Sequence, residues 1–252
     1  MAAEILLLRR LPQPVYSDWI NLSAYNVTNT AATQLLVKHE LADRLRTEIM
    51  KGALRPGERI IAGRWATEFG VAQASIREAI NILRDEGFVT KRSGRSARVL
   101  HLSEHDVVRL YQLRGAIEGL AARLAATSEA DLSPLQFAVD GMREAVAAGH
   151  REALLDCDLR FHLSLCEASG SPILIEHARR ILFPFFAFVR MRVTASRQEP
   201  SVWGKDLQAH QRIIDLIAER KAEVAQQYVW RAMERFAKTA YDNWERRVTH
   251  GR

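Results

Sequence analysis

The chain has 252 residues, 48% of them apolar and 26% charged, with a net charge of +6 and two cysteines. Such a length suits two domains or one large one, and the composition excludes a disordered, collagen-like or disulfide-stapled protein. The longest apolar run, Ile181–Val189, contains Pro184 and falls far short of the roughly 20 residues that cross a bilayer. Ile5–Leu8, flanked by Glu4, Arg9 and Arg10, is too short for a secretory leader, so the protein is expected in the cytoplasm with no membrane partner. Cys157 and Cys166 fall in one predicted helix, about 13 Å apart along its axis, too far for a disulfide; buried free thiols are expected.

The positive charge is concentrated. Residues 35–100 hold thirteen Lys and Arg against eight Asp and Glu, while 1–34 balances and 101–252 nearly does. A small basic segment beside a larger near-neutral one suggests a polyanion-binding head, although a solvated basic face would have the same composition.

In chain order, residues 1–34 carry Pro12, Pro14 and an Asn/Thr/Ser-rich stretch and are expected to form a loose arm. Leu41, Leu45 and Ile49 repeat every four residues, which predicts an amphipathic helix over 35–51 ended by Gly52. Leu54-Arg55-Pro56-Gly57 is a turn signal, followed by a short apolar strand at Ile60-Ile61. Trp65, Ala66 and Phe69 mark a second, short helix that Gly70 breaks. A third helix is expected to open at Ser75 as a side-chain cap, with Glu78 three residues on completing a capping box and Ile76, Ile80 and Leu83 facing inward. Gly87 closes it. Phe88–Lys91 and Ala97–Leu100 read as the strands of a hairpin turning through Arg92-Ser93-Gly94-Arg95.

Helix, strand, helix, tight turn, helix and basic hairpin is the order of a winged helix-turn-helix, here over 35–101. Its third helix fits a major groove about 12 Å wide, and its hairpin reaches the flanking phosphates or minor groove. The expected DNA contacts are Arg64, Gln73, Ser75 and Arg77 on the helices, and Lys91, Arg92 and Arg95 around Gly94 on the wing. Residues 102–252 form the second predicted domain. From 104 to 248 they read as about six helices with no strand, so the fold class is mainly α and the architecture an antiparallel bundle.

The run Gly52–Ile60, then Phe69-Gly70-Val71 through Ile76-Arg77-Glu78-Ala79-Ile80, then Leu83–Val89, resembles the GntR family of bacterial transcription regulators. Where that family commonly opens its recognition helix with Ser-Arg, this chain has Ala72-Gln73. Gln favours adenine and Arg guanine, so the operator is expected to differ from the family's usual one. Tyr111–Glu118 with Ala121–Ala125, Asp158–His162, and His210–Ile214 resemble the all-helical FCD effector domain of one branch of that family.

The resemblance implies a homodimer on an inverted-repeat operator in double-stranded DNA, a small carboxylate effector, and a divalent metal such as zinc. Asp158 and His162, four residues apart, leave one helix face, and His210 would come from a facing helix. The family's remaining histidine falls at Ala232, and nearby Phe236 is no ligand either. The plain alternative is an Asp–His hydrogen bond in a helical core with His210 unrelated. Arg114 matches a family arginine lining the effector cavity, and Glu118, one turn on, is its other candidate partner. Arg190 is a further effector candidate or a surface charge, and Phe183, Phe185 and Phe186 fit core or dimer contacts. Two other functions are alternatives to an effector-controlled regulator. An architectural DNA binder would use the second domain only to dimerise. A metal-dependent hydrolase would need a general base that does not present itself beside Asp158, His162 and His210, so no enzyme is expected.

Overall fold

The computed structural model describes residues 29–91, 96–195 and 207–250. They form helices α1 (Asn29–Met50), α2 (Ala62–Phe69) and α3 (Gln73–Asp85), strands β1 (Val89–Thr90) and β2 (Arg98–Val99), and helices α4 (Glu104–Thr127), α5 (Ser133–Ala147), α6 (Arg151–Ala168), α7 (Pro172–Ala195), α8 (Leu207–Ala218) and α9 (Ala222–His250). The fold is mainly α, with an N-terminal winged helix-turn-helix and a C-terminal helical bundle. Among the described residues no helix is long and apolar enough to cross a membrane.

By contacts the chain divides into two units. The first contains α1–α3, the hairpin and the part of α7 from Phe183 onward. Leu41, Leu45 and Ile49 of α1 are buried, as are Ile76, Ile80 and Leu83 of α3, so both apolar stripes meet in one core with Trp65 and Phe88. Gly70 ends α2 in a left-handed conformation (φ 66°), its N–H bonded back to the helix. β1 and β2 pair antiparallel with Val89 opposite Val99 and Thr90 opposite Arg98. Gly87, with φ 81°, lies against the backbone of α7: a Cβ there would stand 2.5 Å from Pro184 N and 2.6 Å from Phe183 C.

Several expectations shift here. The first helix begins at Asn29, so the last residues of the supposed loose arm are helical; residues 1–28 lie outside those described. The third helix does not open at Ser75. Its N-cap is the extended Ala72, with no side-chain cap, and Ser75 N–H already donates to Ala72 O at 3.0 Å. The turn at Gly70 places the N-cap three residues early, leaving Ser75 inside the first turn, where no capping box can form. The strand expected at Ile60-Ile61 is a single bridge one residue earlier, Arg59 to Arg98, and Ile61 is the exposed N-cap of α2. Ile60 N–H still donates to Ala97 O at 2.9 Å, which ties this segment to the wing.

The second unit contains α4, α5, α6, α7 up to Leu182, α8 and α9. Ser103 caps α4 in a reciprocal box with Asp106. α4 and α9 approach closely because α4 presents Gly115 and Gly119 to its partner: a Cβ at Gly119 would lie 3.1 Å from Gln226 O, and one at Gly115 3.3 Å from Met233 Cβ. α6 packs on α4 and α5, while α8 packs on α4, α5 and α9. The polar residues of the expected effector site on α4, α6 and α8 are thereby brought into one interior.

Candidate functional site

In the first unit, burial of Ile76, Ala79, Ile80 and Leu83 turns the opposite face of α3 outward. Gln73 and Arg77 are exposed on it, and Ser75 is half-buried. The Gln73 amide lies over α2, where a Cβ on Gly63 would be 3.6 Å from its Nε2. Arg64 is exposed, 3.9 Å from Glu68, with its guanidinium near the Trp65 ring. Lys91 is exposed at the end of β1; Arg92, Gly94 and Arg95 lie outside the described residues. Arg190 is half-buried; Phe185 and Phe186 are buried, and Phe183 is half-buried.

In the second unit, the i, i+4 spacing on α6 aims Asp158 and His162 the same way, and α8 brings His210 to meet them. Their ligand atoms all lie within 4.8 Å of one another. Both imidazoles turn Nε2 toward Asp158 Oδ1, at 3.3 Å for His162 and 3.2 Å for His210. Asp158 Oδ1 is shielded from solvent between the two ring nitrogens. Ligand atoms about 2.0–2.2 Å from a tetrahedral zinc ion stand about 3.3–3.6 Å apart, close to the two separations from Asp158, and an oxygen with two imidazole nitrogens is a donor set that fits a divalent metal. Ala232 is buried on α9 and supplies no further ligand. Phe161 meets both rings edge-on, its centroid 4.6 Å from that of His210 and 5.5 Å from that of His162.

Burial by itself would raise the Asp158 carboxyl, but the two imidazoles outweigh it and hold the group well below the usual carboxylate range. Behind His162 stands a second carboxylate. Glu118 Oε2 lies 2.5 Å from His162 Nδ1, and Glu118 Oε1 accepts from Arg114 Nε at 2.6 Å. Burial pushes Glu118 up, and Arg114 and His162 together overcome this to bring it to about 2. For His162, burial pushes down, and the Glu118 and Asp158 carboxylates together more than compensate, so its pKa is raised. Arg114 and Glu118 are thus one another's partners, the alternative the spacing on α4 had left open. The bond between Glu118 and His162 was not foreseen, since 44 residues separate them and no local pattern links them.

Both cysteines are free and buried, as expected, with burial raising Cys157 to about 11 and Cys166 well above its ordinary value.

Residues 37–99 match the pattern of bacterial regulatory proteins of the gntR family, and residues 109–235 match the FCD domain. The chain belongs to the GntR family. This GntR protein is 30% identical over 230 residues to the putative L-lactate dehydrogenase operon regulatory protein of Escherichia coli K12, covering 78% of this chain and 86% of that one. It is 27% identical over 207 residues to the Glc operon transcriptional activator of the same organism, covering 74% and 82%. In fold it is similar to a GntR regulator from Rhodococcus sp. RHA1, with a TM-score of 0.61 at 23% identity over 81% of this chain and 96% of that one. GntR proteins with these domains are transcriptional regulators and not enzymes. The winged helix is the DNA-binding domain, and the FCD domain is the effector domain.

Proposed function

We propose that this GntR protein acts in the cytoplasm as a homodimer on an inverted-repeat operator, and that a small carboxylate bound through a divalent metal at Asp158, His162 and His210 controls its affinity for DNA. The convergence of two imidazole nitrogens on the shielded Asp158 Oδ1 carries this reading. Three protein ligands leave at least one coordination position for a carboxylate oxygen, and the metal when bound supplies the positive charge that holds it. One relative is named for an L-lactate dehydrogenase operon, which favours a 2-hydroxy acid as effector. Gln73, Ser75 and Arg77 at the start of α3 would meet the operator's bases and phosphates, with Arg64 on α2 and Lys91, Arg92 and Arg95 around Gly94 on the wing adding phosphate contacts. Exposed Leu113, Leu120 and Trp230 on the closely packed α4 and α9 support pairing of two copies through that face.

Operator DNA is first selected from a random pool, and its affinity is then measured with zinc and a panel of carboxylates. An active acid should shift wild-type affinity at least several-fold. Asp158→Ala should bind the same DNA and ignore every acid. Ala232→His should tighten metal binding by adding a ligand. Absence of metal from the purified protein, with no gain in Ala232→His, would remove the metal from this reading.

A further inference from the structure

An imidazole presents only one nitrogen lone pair to a metal, and which one is decided by where its proton is held. His162 Nε2 faces Asp158 and, with His210, completes the donor cluster, while its Nδ1 faces Glu118 Oε2 at 2.5 Å. Glu118 is only 1% exposed, so no bulk water competes for that oxygen. Its other oxygen is held by Arg114 Nε at 2.6 Å, and Arg114 is itself 3% exposed. One carboxylate therefore has two donors on two oxygens. Rotation that would break the bond to His162 would also break the one to Arg114 inside a dry interior, where unpaired charge is costly.

Building on the metal reading above, we propose that Glu118, clamped by Arg114, is the positioning residue that keeps the proton of His162 on Nδ1 and presents Nε2 as a metal ligand. Arg114 then acts on the metal through Glu118.

The test is a Co²⁺ titration of the full chain followed by visible absorption, comparing wild type with Glu118→Gln, Arg114→Met, the double variant and Asp158→Ala. Glu118→Gln should bind Co²⁺ about 10–100-fold more weakly than wild type. Arg114→Met should lose less. The double variant should be no weaker than Glu118→Gln alone, because two residues acting in series are not additive. In the Co²⁺-loaded protein, the paramagnetically shifted Nδ1–H resonance of His162 should move and exchange faster in Glu118→Gln, while that of His210 stays in place. A merely structural role would lower stability without that selective change. Should Glu118→Gln fail to fold with Arg114 left unpaired, the double variant, which removes both charges, carries the comparison. Unchanged Co²⁺ affinity and an unmoved His162 resonance, with binding abolished in Asp158→Ala, would overturn the positioning role and leave the metal site standing. Wild-type binding no tighter than that of Asp158→Ala would overturn both.

Discussion

The two units keep their polar residues in opposite places. In the winged helix the candidate contacts Gln73, Arg77 and Lys91 are exposed over a core of Leu45, Trp65, Ile76 and Phe88. In the bundle Arg114, Glu118 and His162 are inside, bonded in series and continued by Asp158 and His210. A surface that meets phosphates needs charge more than fixed geometry, and water keeps such side chains inexpensive until DNA arrives. A site for a small ion and a small acid must hold its donors in place beforehand, which requires packing and low dielectric. The head does contain a partly buried pair, Arg46 with Glu86 at 2.6 Å, but it joins α1 to the residue after α3 and so braces the fold.

Breaking one partner of the interior chain should have the largest effect. Arg114→Ala leaves Glu118 buried without its strongest cation, and a loss of about 3–5 kcal/mol is expected. Hydrogen exchange resolved by segment should show it in α4 and α6 with α1–α3 protected as before. Equal loosening of both units would erase the contrast.

Acid should separate the units next. Glu118 sits near 2 in the folded protein against an ordinary value of 4.5. Its depressed pKa gives stability that is complete above the unfolded value and is lost as pH falls from about 4.5 toward 2. Exchange measured down that range should loosen the bundle in wild type, and the Arg114→Met/Glu118→Gln double variant should have a flatter profile.

On the DNA side the effects are smaller and leave the fold alone. Gln73→Ala should cost about 1–3 kcal/mol on the selected operator and change the preferred base at one position per half-site. An unchanged selected sequence would remove Gln73 from base readout. Arg77→Ala should weaken all sequences alike and lower the slope of log affinity against log salt by about one. The smallest effect is expected for Lys91→Ala, visible at low salt and nearly gone at high salt, as suits an exposed phosphate contact.

What could be read before folding follows from how local each feature is. The stripe Leu41, Leu45, Ile49 and the break at Gly70 are set within one or two turns of chain, and both are present. The start of α3 was misplaced because Ser75 and Glu78 have the right spacing for a capping box, while the turn before them begins the helix at Gln73. In the bundle, Asp158 and His162 were legible because they share a helix face. His210 became a candidate only by resemblance, and Glu118 bonding to His162 depends on α4 lying against α6, which no local spacing encodes.

Gly70 and Gly87 have nearly the same backbone conformation, yet they should differ as hereditary sites. A Cβ on Gly70 would meet nothing within 4 Å, so asparagine or another residue able to adopt a positive φ can take its place at small cost. At Gly87 the same atom would press into the backbone of Phe183 and Pro184, which cannot swing aside as a side chain can. In a pool of random single substitutions selected for DNA binding, codon 70 should survive as glycine and a few polar residues. Codon 87 should survive as glycine alone, except in clones where a second change has moved residues 183 and 184 away from it.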